Sequence, residues 1–567
     1  MKKLLFIALL IISINSYVCS QVITHGPEIE NKEDRLLTKI LDGDSTCFFT
    51  YRLKEDAKMY YLKVEKFDRV TMNIIYSTEI EFDENIASNV FSVGNKLYIF
   101  YKSFREGKMT VYFKEMSDIG KLMPQKGIVM EEETDRIDLS DYEIIQNADK
   151  TKFVVKAAYQ NSKTGKFQLD FVVIDSKSFV KVNSKKMDES SFGYYFNEKD
   201  NFERCFKRTK FWGLCVDKNN TVYCAYSYFE RDPLTKIRHN RNKIIICAAN
   251  DDNLGLVDIS FDHDCVVFNA CIAPTSDDEL VYTGFIQNII KKSGPDEVKN
   301  GIFGFTIDVK SRKVTAHSLT YFDDNFLLAL STSADKAKFA RYKADYTYVY
   351  GKKVFVVGEM YEFEHSLDPV GGPAWTTYHH YRDVVVAKYS LEGNFEWIKN
   401  LPLKTNVDKT VGDNFFFSTG PVPPQTNLKN TGQDPIMEYI SFANQNKIYV
   451  LNNESPFNLK IYSNPKHRPE SILFYNNIVS SNLVFSSINM DDGSIEHKLL
   501  FQNKQFCFAP SPYIFYSEKT FILDTYHHVK VYHSSFEKEE PFLKCSDGVI
   551  IYTHQDGKDR FSKVKFD

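Results

Sequence analysis

The sequence predicts an all-β protein, a β-propeller of about seven blades (six to eight possible) with one short helical insertion. Three observations support this fold class. Short strand signals recur along the 567-residue chain, and they fall into groups of blade-like length. Aromatic residues make up 15% of the sequence, which suits strands, where flat side chains pack on a pleated surface. Gly and Pro are modest at 25 and 18 residues, which argues against low complexity.

The strand signals are runs of β-branched and aromatic residues bounded by Asn, Asp, Gly or Lys. Clear examples are residues 96–101, 152–156, 221–226, 354–357 and 447–451. Several runs lack polar alternation, which is typical of strands covered on both faces. The middle strands of propeller blades are covered in that way by the blades on either side.

The runs form blade-like groups separated by polar segments. These groups are 45–83, 90–132, 142–190, 208–262, 263–322, 343–402 and 436–502, with a remainder at 505–567. A polar turn precedes a buried strand at 93–96, 148–150, 217–220, 350–353 and 444–447. Such repetition is what a ring of stacked blades requires. The one helical candidate is Asp324 to Lys343, an insertion between blades.

The N-terminus has the pattern of a secretory signal peptide. Lys2 and Lys3 precede an apolar run that is too short to span a bilayer, and Val18 and Ser20 occupy the small-residue positions before a cleavage site. We therefore expect residues 1–20 to be removed and 21–567 to form a single propeller domain in the periplasm or outside the cell. Lipidation at Cys19 is the weaker alternative, because Ser16 and Val18 depart from the lipoprotein signal. No later segment predicts a transmembrane helix.

Charge and motifs exclude several classes of function. The formal net charge of −4 predicts no large basic surface, so nucleic acid is not an expected partner. The sequence contains no GxSxG, HExxH or GxxxxGK[ST] motif, and we expect no cofactor. No metal site is expected, because Asp262 to Cys265 and Asn250 to Gly255 are explained by turns between strands.

Ten cysteines include one in the signal peptide, and an oxidising compartment would allow some of the others to pair. Cys224 and Cys247 lie in neighbouring predicted strands and form the first candidate disulfide. A second hypothesis pairs Cys47 with Cys507 or Cys545, because the N-terminal strand of many propellers completes the last blade.

The best ligand-site candidate is the segment from Glu364 to Tyr381, which is predicted to be irregular, as is Asn414 to Pro435. Long surface loops of this kind often form a binding face. Aromatic stacking and a charged fork, suited to a sugar or a carboxylate, would come from Trp375, Tyr378, His379, His380 and Arg382. Adjacent histidines on an extended chain point to opposite sides, so they would not share one metal. The second histidine cluster, Tyr526 to His533, predicts an ordinary strand.

One region resembles a known repeat. Val357 to Tyr361 is followed by Arg382 to Trp397, which contains a strand, a Lys, a turn ending in Gly393-Asn394, and a Trp. This order resembles the bacterial β-propeller repeat, and the wider chain is similar to uncharacterised exported proteins of Bacteroidota-type bacteria. The resemblance implies blade architecture and carries no activity. From the residues themselves we expect a tight hairpin at Leu391 to Asn394, with Trp397 packed between blades.

The sequence therefore favours an exported, non-enzymatic β-propeller that acts as a binding or scaffold protein of the cell envelope, with a protein or glycan as its ligand. The alternative is a carbohydrate-active hydrolase or lyase with two carboxylates in the propeller channel.

Overall fold

The computed structural model describes most of the blades and none of the expected signal peptide. Its described residues, to which every structural statement below refers, are 23–31, 39–56, 59–82, 87–134, 141–147, 149–188, 210–231, 238–249, 251, 254–261, 265–275, 278–290, 297–330, 341–367, 375–402, 405–409, 439–444, 446–454, 482–499, 514–516, 520–523, 527–530, 536–538, 542–545, 548–555 and 558–565.

Eight antiparallel sheets form the blades. The chain begins with β1 (Ile23–Glu30), which belongs to the last blade. Blade 1 contains β2 (Lys39–Asp42), β3 (Cys47–Asp56), β4 (Met59–Asp68) and β5 (Ile74–Phe82). Blade 2 contains β6 (Ala87–Val93), β7 (Lys96–Arg105), β8 (Lys108–Met116) and β9 (Leu122–Glu133). Blade 3 contains β10 (Asp141–Gln146), β11 (Lys152–Gln160), β12 (Phe167–Asp175) and β13 (Lys181–Asp188). Blade 4 contains β14 (Lys210–Val216), β15 (Val222–Arg231), β16 (Arg238–Cys247) and β17 (Gly255–Ile259).

The second half of the chain repeats this pattern with insertions. Blade 5 contains β18 (Cys265–Pro274), β19 (Glu279–Ile290), β20 (Glu297–Asp308) and β21 (Lys313–Tyr321), and helix α1 (Asp324–Ala329) follows it. Blade 6 contains β22 (Arg341–Tyr350), β23 (Lys353–Leu367), β24 (Trp375–Ser390), β25 (Phe395–Leu401) and the extra strand β26 (Thr405–Lys409). Blade 7 contains β27 (Tyr439–Asn444), β28 (Lys447–Glu454), β29 (Asn482–Asn489) and β30 (Ile495–Leu499). Two small hairpins come next, β31 (Ile514–Tyr516) with β34 (Phe536–Lys538) and β32 (Thr520–Leu523) with β33 (His527–Lys530). Blade 8 contains β35 (Phe542–Cys545), β36 (Gly548–Gln555), β37 (Lys558–Lys565) and β1.

The blades pack face to face around a ring. In blade 6, Val354 and Val356 contact the core shared with blade 5, while Phe355 and Val357 contact the core shared with blade 7. Every neighbouring pair of blades shares such an apolar cluster, including blades 8 and 1. First strands of neighbouring blades lie against one another, as β2 does with β6 and β35, and are therefore innermost. The fold is an all-β, eight-bladed propeller.

Blades 8 and 1 close the ring in two ways. The N-terminal strand β1 pairs antiparallel with β37, so the first strand of the chain completes the last blade. Between the two blades, Phe48 and Phe67 of blade 1 pack on Phe561 of blade 8, with ring centroids 5.3 and 4.7 Å apart.

A buried ion pair crosses the same junction. Arg52 Nη2 lies 2.6 Å from Asp559 Oδ2, and its Nε lies 3.6 Å from Glu65 Oε2. The Tyr552 hydroxyl donates to Asp559 Oδ1 at 2.5 Å. Burial by itself lowers the pKa of the Arg52 guanidinium, but Tyr552, Asp559 and Glu65 raise it overall, so the charge is held at the seam.

The predicted blade count of seven was one too low. The eighth blade takes its outer strand from residues 23–30, so the 505–567 remainder contributes only three of its strands. The predicted helix is present but short. It begins at Asp324, where the Asp323 side chain caps the Phe326 amide, and it ends at Ala329. Residues 331–340 lie outside the described residues, and Arg341 to Lys343 belong to β22.

Two local predictions in blade 6 are confirmed. The Ser390 amide donates to Asn394 O at 2.9 Å, and Gly393 has a φ of +87°, as a tight hairpin requires. Trp397 packs against the cluster between blades 6 and 7, with its ring centroid 6.1 Å from that of Phe355.

Candidate functional site

The two ends of the ring differ in the length of their connections. Within each blade, the first and third connections between strands lie at one end, which we call the turn face, and none of them exceeds seven residues (248–254). The opposite end, the insertion face, carries the second connections and the links between blades. The long segments 189–209, 410–438 and 455–481 all join strands at that end. Because long connections commonly carry binding residues, the insertion face is the candidate recognition surface.

Blade 6 projects a three-stranded sheet from the insertion face. Strands β23 and β24 continue to Leu367 and from Trp375, and β26 pairs with β24 at Thr377 to Tyr381. We call residues 361–367, 375–381 and 405–409 the extension. The expectation of an irregular stretch from Glu364 to Tyr381 was therefore wrong for most of its length, since only 368–374 lie outside the described residues.

The strand register of the extension sorts the candidate ligand residues onto two faces. Directly paired residues share a face of a sheet, and successive residues alternate. One face carries Trp375 opposite Leu367, and His379 between Phe363 and Val407. The other face carries Tyr378 between Glu364 and Asp408, and His380 between Glu362 and Asn406.

The first face therefore carries Trp375, Phe363 and Leu367 together with the polar set His365, Thr377 and Lys409, and the second face carries Glu362, Glu364 and Asp408. Trp375 and His379 belong to the first, whereas Tyr378 and His380 belong to the second. Arg382 lies at the base, beside a register shift between Glu359 and Tyr361 on the partner strand. The five predicted residues are close along the chain, but they do not form one surface.

A buried polar cluster lies beneath the extension, between blades 6 and 7. Tyr439, the first residue of β27, donates to Asp345 Oδ2 at 2.7 Å, and Lys343 Nζ lies 3.2 Å from Asp345 Oδ1. Glu359 is 1% exposed. Burial raises the pKa of Tyr439 well above its usual value, and Asp345 and Glu359 add to the effect, so this hydroxyl remains a donor.

The exposure of this cluster limits its chemistry. The Asp345 side chain is 1% exposed and that of Lys343 is 10% exposed, so a polymeric substrate cannot reach these groups in this structure. In the described residues, no group of three or more His, Cys, Asp or Glu side chains is arranged to hold a metal ion. The cluster is suited to fixing the base of the extension between two blades. Local sequence patterns gave no signal for it, because its members come from three separate strands.

A second buried cluster joins blades 2 and 3 near the insertion face. The Tyr159 hydroxyl lies 2.8 Å from Glu132 Oε2 and 2.9 Å from Asp170 Oδ2. Lys186 Nζ lies 2.6 Å from Glu132 Oε2 and 3.2 Å from Asp170 Oδ2. Burial, together with the Glu132 charge, raises the pKa of Asp170 to about 6 despite the opposing effect of Lys186.

The raised pKa of Asp170 predicts a pH-dependent contribution to stability. Because the folded state binds the proton more tightly than the unfolded state, this contribution is full below about pH 4 and is lost as the pH rises to about 6. We expect Asp170→Asn to remove this loss in denaturation curves recorded across that range. Asp175→Asn is the control for the direction of the pH effect. Hydrogen bonds from Ser178 and the Lys152 ammonium lower the pKa of Asp175, so its contribution to stability has the opposite pH dependence. An Asp170→Asn protein with the parental pH slope would contradict the assignment.

The cysteine predictions were wrong where the structure describes them. Cys224 and Cys247 are both free and buried. Cys247 pairs with Val222 and Cys224 with Ile245, so the two thiols are diagonal neighbours rather than a direct cross-strand pair. Diagonal positions are about 7–8 Å apart, which exceeds disulfide geometry. Burial raises the pKa of Cys224 to about 12, which keeps the thiol protonated.

Cys47 is also a free thiol. It packs in the cluster between blades 1 and 2, on the side of blade 1 turned away from blade 8. This placement explains why it does not bridge to Cys545 of β35. Cys507 lies outside the described residues.

The remaining candidate site residues lie in ordinary strands or outside the described residues. His527 and His528 lie in β33, which pairs with β32, as expected for a strand, and His533 lies outside the described residues. Asp262 to Asp264 also lie outside them. No helix in the described residues is long and apolar enough to cross a membrane.

Comparisons with known proteins do not assign this chain to a family. No family model matches the chain, and no curated protein does. The β-propeller domain of the trilobed protease from Pyrococcus furiosus is 11% identical with a TM-score of 0.31, covering 64% of this chain and 99% of that one. The protein lmo1340 from Listeria monocytogenes EGD-e is 8% identical with a TM-score of 0.30, covering 80% and 85%. An endo-arabinase from Bacteroides thetaiotaomicron is 10% identical with a TM-score of 0.23, covering 49% and 96%. Such values identify neither family nor activity, so the fold assignment rests on the order of the sheets and their shared cores.

Proposed function

We propose that this protein is an exported, non-enzymatic β-propeller that binds a protein or glycan of the cell envelope through its insertion face. One observation carries the proposal: blade 6 projects a three-stranded extension from the insertion face, and its register places Trp375, Phe363 and Leu367 on one face. Aromatic residues on a sheet can provide contact area at a low entropic cost, for a sugar ring or for a peptide.

The signal-peptide pattern of residues 1–20 supports export to the periplasm or the medium. Production in an exporting host should yield a chain that begins at Gln21. Recovery from the cytoplasm of a protein that still begins at Met1 would contradict this part of the proposal.

The hydrolase or lyase alternative is the weaker one. The best carboxylate pair near the inner strands is Asp345 and Glu359, and both are 1% exposed. A glycosidase requires two carboxyl groups that reach the scissile bond. These two groups are instead suited to holding Lys343 and Tyr439 in place.

The test is a glycan array and an envelope pull-down with the mature protein and three variants. The first variant combines Trp375→Ala, Tyr378→Ala and Arg382→Ala, and we expect it to bind at least about tenfold more weakly. The second and third variants test which face of the extension binds the ligand. The second combines Trp375→Ala and His379→Ala on one face, and the third combines Tyr378→Ala and His380→Ala on the other.

A matched control changes Lys352 and Glu392 to Ala. This exposed ion pair lies on the turn face, where the two side chains are 81% and 50% exposed. Specific binding that the control retains and the triple variant loses would support the extension as the recognition surface. Binding that survives the triple variant, or that disappears equally in the control, would contradict it.

A further inference from the structure

Exposed apolar side chains are concentrated on one arc of the ring. Ten large hydrophobic side chains of the described residues are exposed, and eight of them belong to blades 1, 2 and 3. Seven of the eight lie in the turn between the third and fourth strands or in the first two residues of the fourth strand. We call these seven the apolar rim: Val70, Ile74, Ile75, Ile119, Met123, Val180 and Val182.

The topology places the apolar rim at the outer edge of the turn face. Turns between third and fourth strands all lie at that end, and fourth strands are outermost in each blade. The most exposed members are Val70 at 78%, Ile119 at 80% and Val180 at 58%. One stands on each of three consecutive turns at this end of the ring.

The turns of blades 2 and 3 each touch the preceding blade, which places the apolar turns of neighbouring blades next to one another. A Cβ on Gly120, beside Ile119, would lie 2.6 Å from Thr78 Oγ1 of β5, so the turn of blade 2 is pressed against blade 1. Phe179, beside Val180, stacks on Phe113 of blade 2 with ring centroids 4.1 Å apart. Exposed apolar side chains that are grouped on neighbouring turns indicate an interaction site.

Lysines flank the apolar rim. Lys121, Lys126, Lys177 and Lys181 are exposed on the same turns and strand starts. No ion pair involves Lys121, Lys177 or Lys181 within the described part of the chain. The carboxylates on the same three turns are Asp68, Asp118 and Asp175. Asp68 accepts hydrogen bonds from Val70 and Thr71 of its own turn, and Asp175 is paired with Lys152.

The corresponding turns of blades 6 and 7 have a different composition. They present Glu392, Asp491 and Asp492 in place of the hydrophobic tips, and Glu392 and Asp491 pair with Lys352 and Lys353. Apolar tips thus distinguish blades 1 to 3 from blades 6 and 7, and exposed lysines without an ion pair accompany them on blades 2 and 3.

From this juxtaposition we propose that the apolar rim of blades 1 to 3 docks the protein on an anionic lipid bilayer surface. Short apolar side chains would enter the headgroup boundary, while the flanking lysines would contact lipid phosphates, as in other peripheral membrane contacts. Charge complementarity favours an anionic surface over a second copy of this chain, since a two-fold contact would bring the same lysines together. Docked in this way, the ring would hold its insertion face away from the bilayer.

The experiment is flotation of the mature protein with vesicles, either of phosphatidylcholine alone or of phosphatidylcholine mixed with phosphatidylglycerol. We expect binding only to the anionic vesicles, with affinity that falls as salt is added. The variant Lys121→Gln, Lys177→Gln, Lys181→Gln should bind about 100-fold more weakly, because each lysine near an anionic surface accounts for roughly a fivefold change. The variant Val70→Glu, Ile119→Glu, Val180→Glu should lose flotation.

The matched control is Leu328→Glu, which alters an apolar side chain that is 62% exposed on α1, near the insertion face. Flotation that the control retains and both triple variants lose would support the proposal. Absence of flotation with anionic vesicles would overturn it, as would flotation that the triple variants retain. Light scattering that shows a dimer abolished by the Val70, Ile119 and Val180 changes would also overturn it, and would assign the rim to an interface between copies. Circular dichroism should confirm that each variant is folded.

Discussion

Replacing Arg52 with Ala is expected to lower the free energy of unfolding by about 3–5 kcal/mol. The Arg52 side chain is 5% exposed, and those of Asp559 and Glu65 are 2% and 3% exposed. Removing the guanidinium leaves two carboxylates buried at the seam between blades 1 and 8, where water cannot replace it. Chemical denaturation of the parent and the variant measures the difference.

Lys558→Ala is the matched control for the seam. Lys558 Nζ lies 3.0 Å from Glu28 Oε2 and joins β37 to β1 within blade 8, next to Asp559 in the chain, but its side chain is 51% exposed. Exposed ion pairs contribute about 0–1 kcal/mol, so the control should unfold almost as the parent does. Equal effects of the two substitutions would show that Arg52 does not hold the ring closed.

Phe48→Ala is expected to reduce stability by about 3–5 kcal/mol, through the lost apolar burial and the cavity left behind. Phe48 is fully buried, stacks on Phe67 with ring centroids 5.0 Å apart and contacts Phe561 from blade 8. The cavity would open between blade 1 and the blade that is built from both ends of the chain. We expect an earlier unfolding midpoint and increased binding of a hydrophobic dye.

Leu328→Ala serves as the control for Phe48, because Leu328 is a large apolar residue that is 62% exposed. Its truncation removes little buried area, so the expected change is within about 0.5 kcal/mol. A Phe48→Ala protein as stable as this control would mean that the aromatic cluster is not needed to join the ends of the ring.

Sequence reasoning located the blades well because strands and turns carry local signals. The predicted group 208–262 corresponds to strands from Lys210 to Ile259, and 343–402 to strands from Arg341 to Leu401. The predicted number of blades was too low because β1 was not identified as a strand. Its sequence includes Gly26 and Pro27, and its side chains are mostly exposed. Such a segment has a weak strand signal, and it becomes a strand because β37 supplies its hydrogen-bonding partner.

The candidate ligand site was only partly predictable for a related reason. Trp375 to Arg382 attracted attention through aromatic and charged composition, but Gly371, Gly372 and Pro373 favoured a loop over a hairpin. Pairing with Phe363 and Val407 then determined which residues share a face. The predicted Cys224–Cys247 disulfide was wrong for the same reason. The strand register offsets the two cysteines by two residues, and their positions in the sequence do not show this offset.

The sequence by itself determined the strand and turn rhythm, the both-sided burial of strands such as Val354 to Val357, and the packing role of Trp397. These properties depend on side chains within one or two neighbouring strands. Only the tertiary structure decided that β1 closes the ring, that Arg52 meets Asp559, and that Val70, Ile119 and Val180 form one surface. Each of these depends on contacts between residues far apart in the chain, where local sequence patterns carry no information about distance.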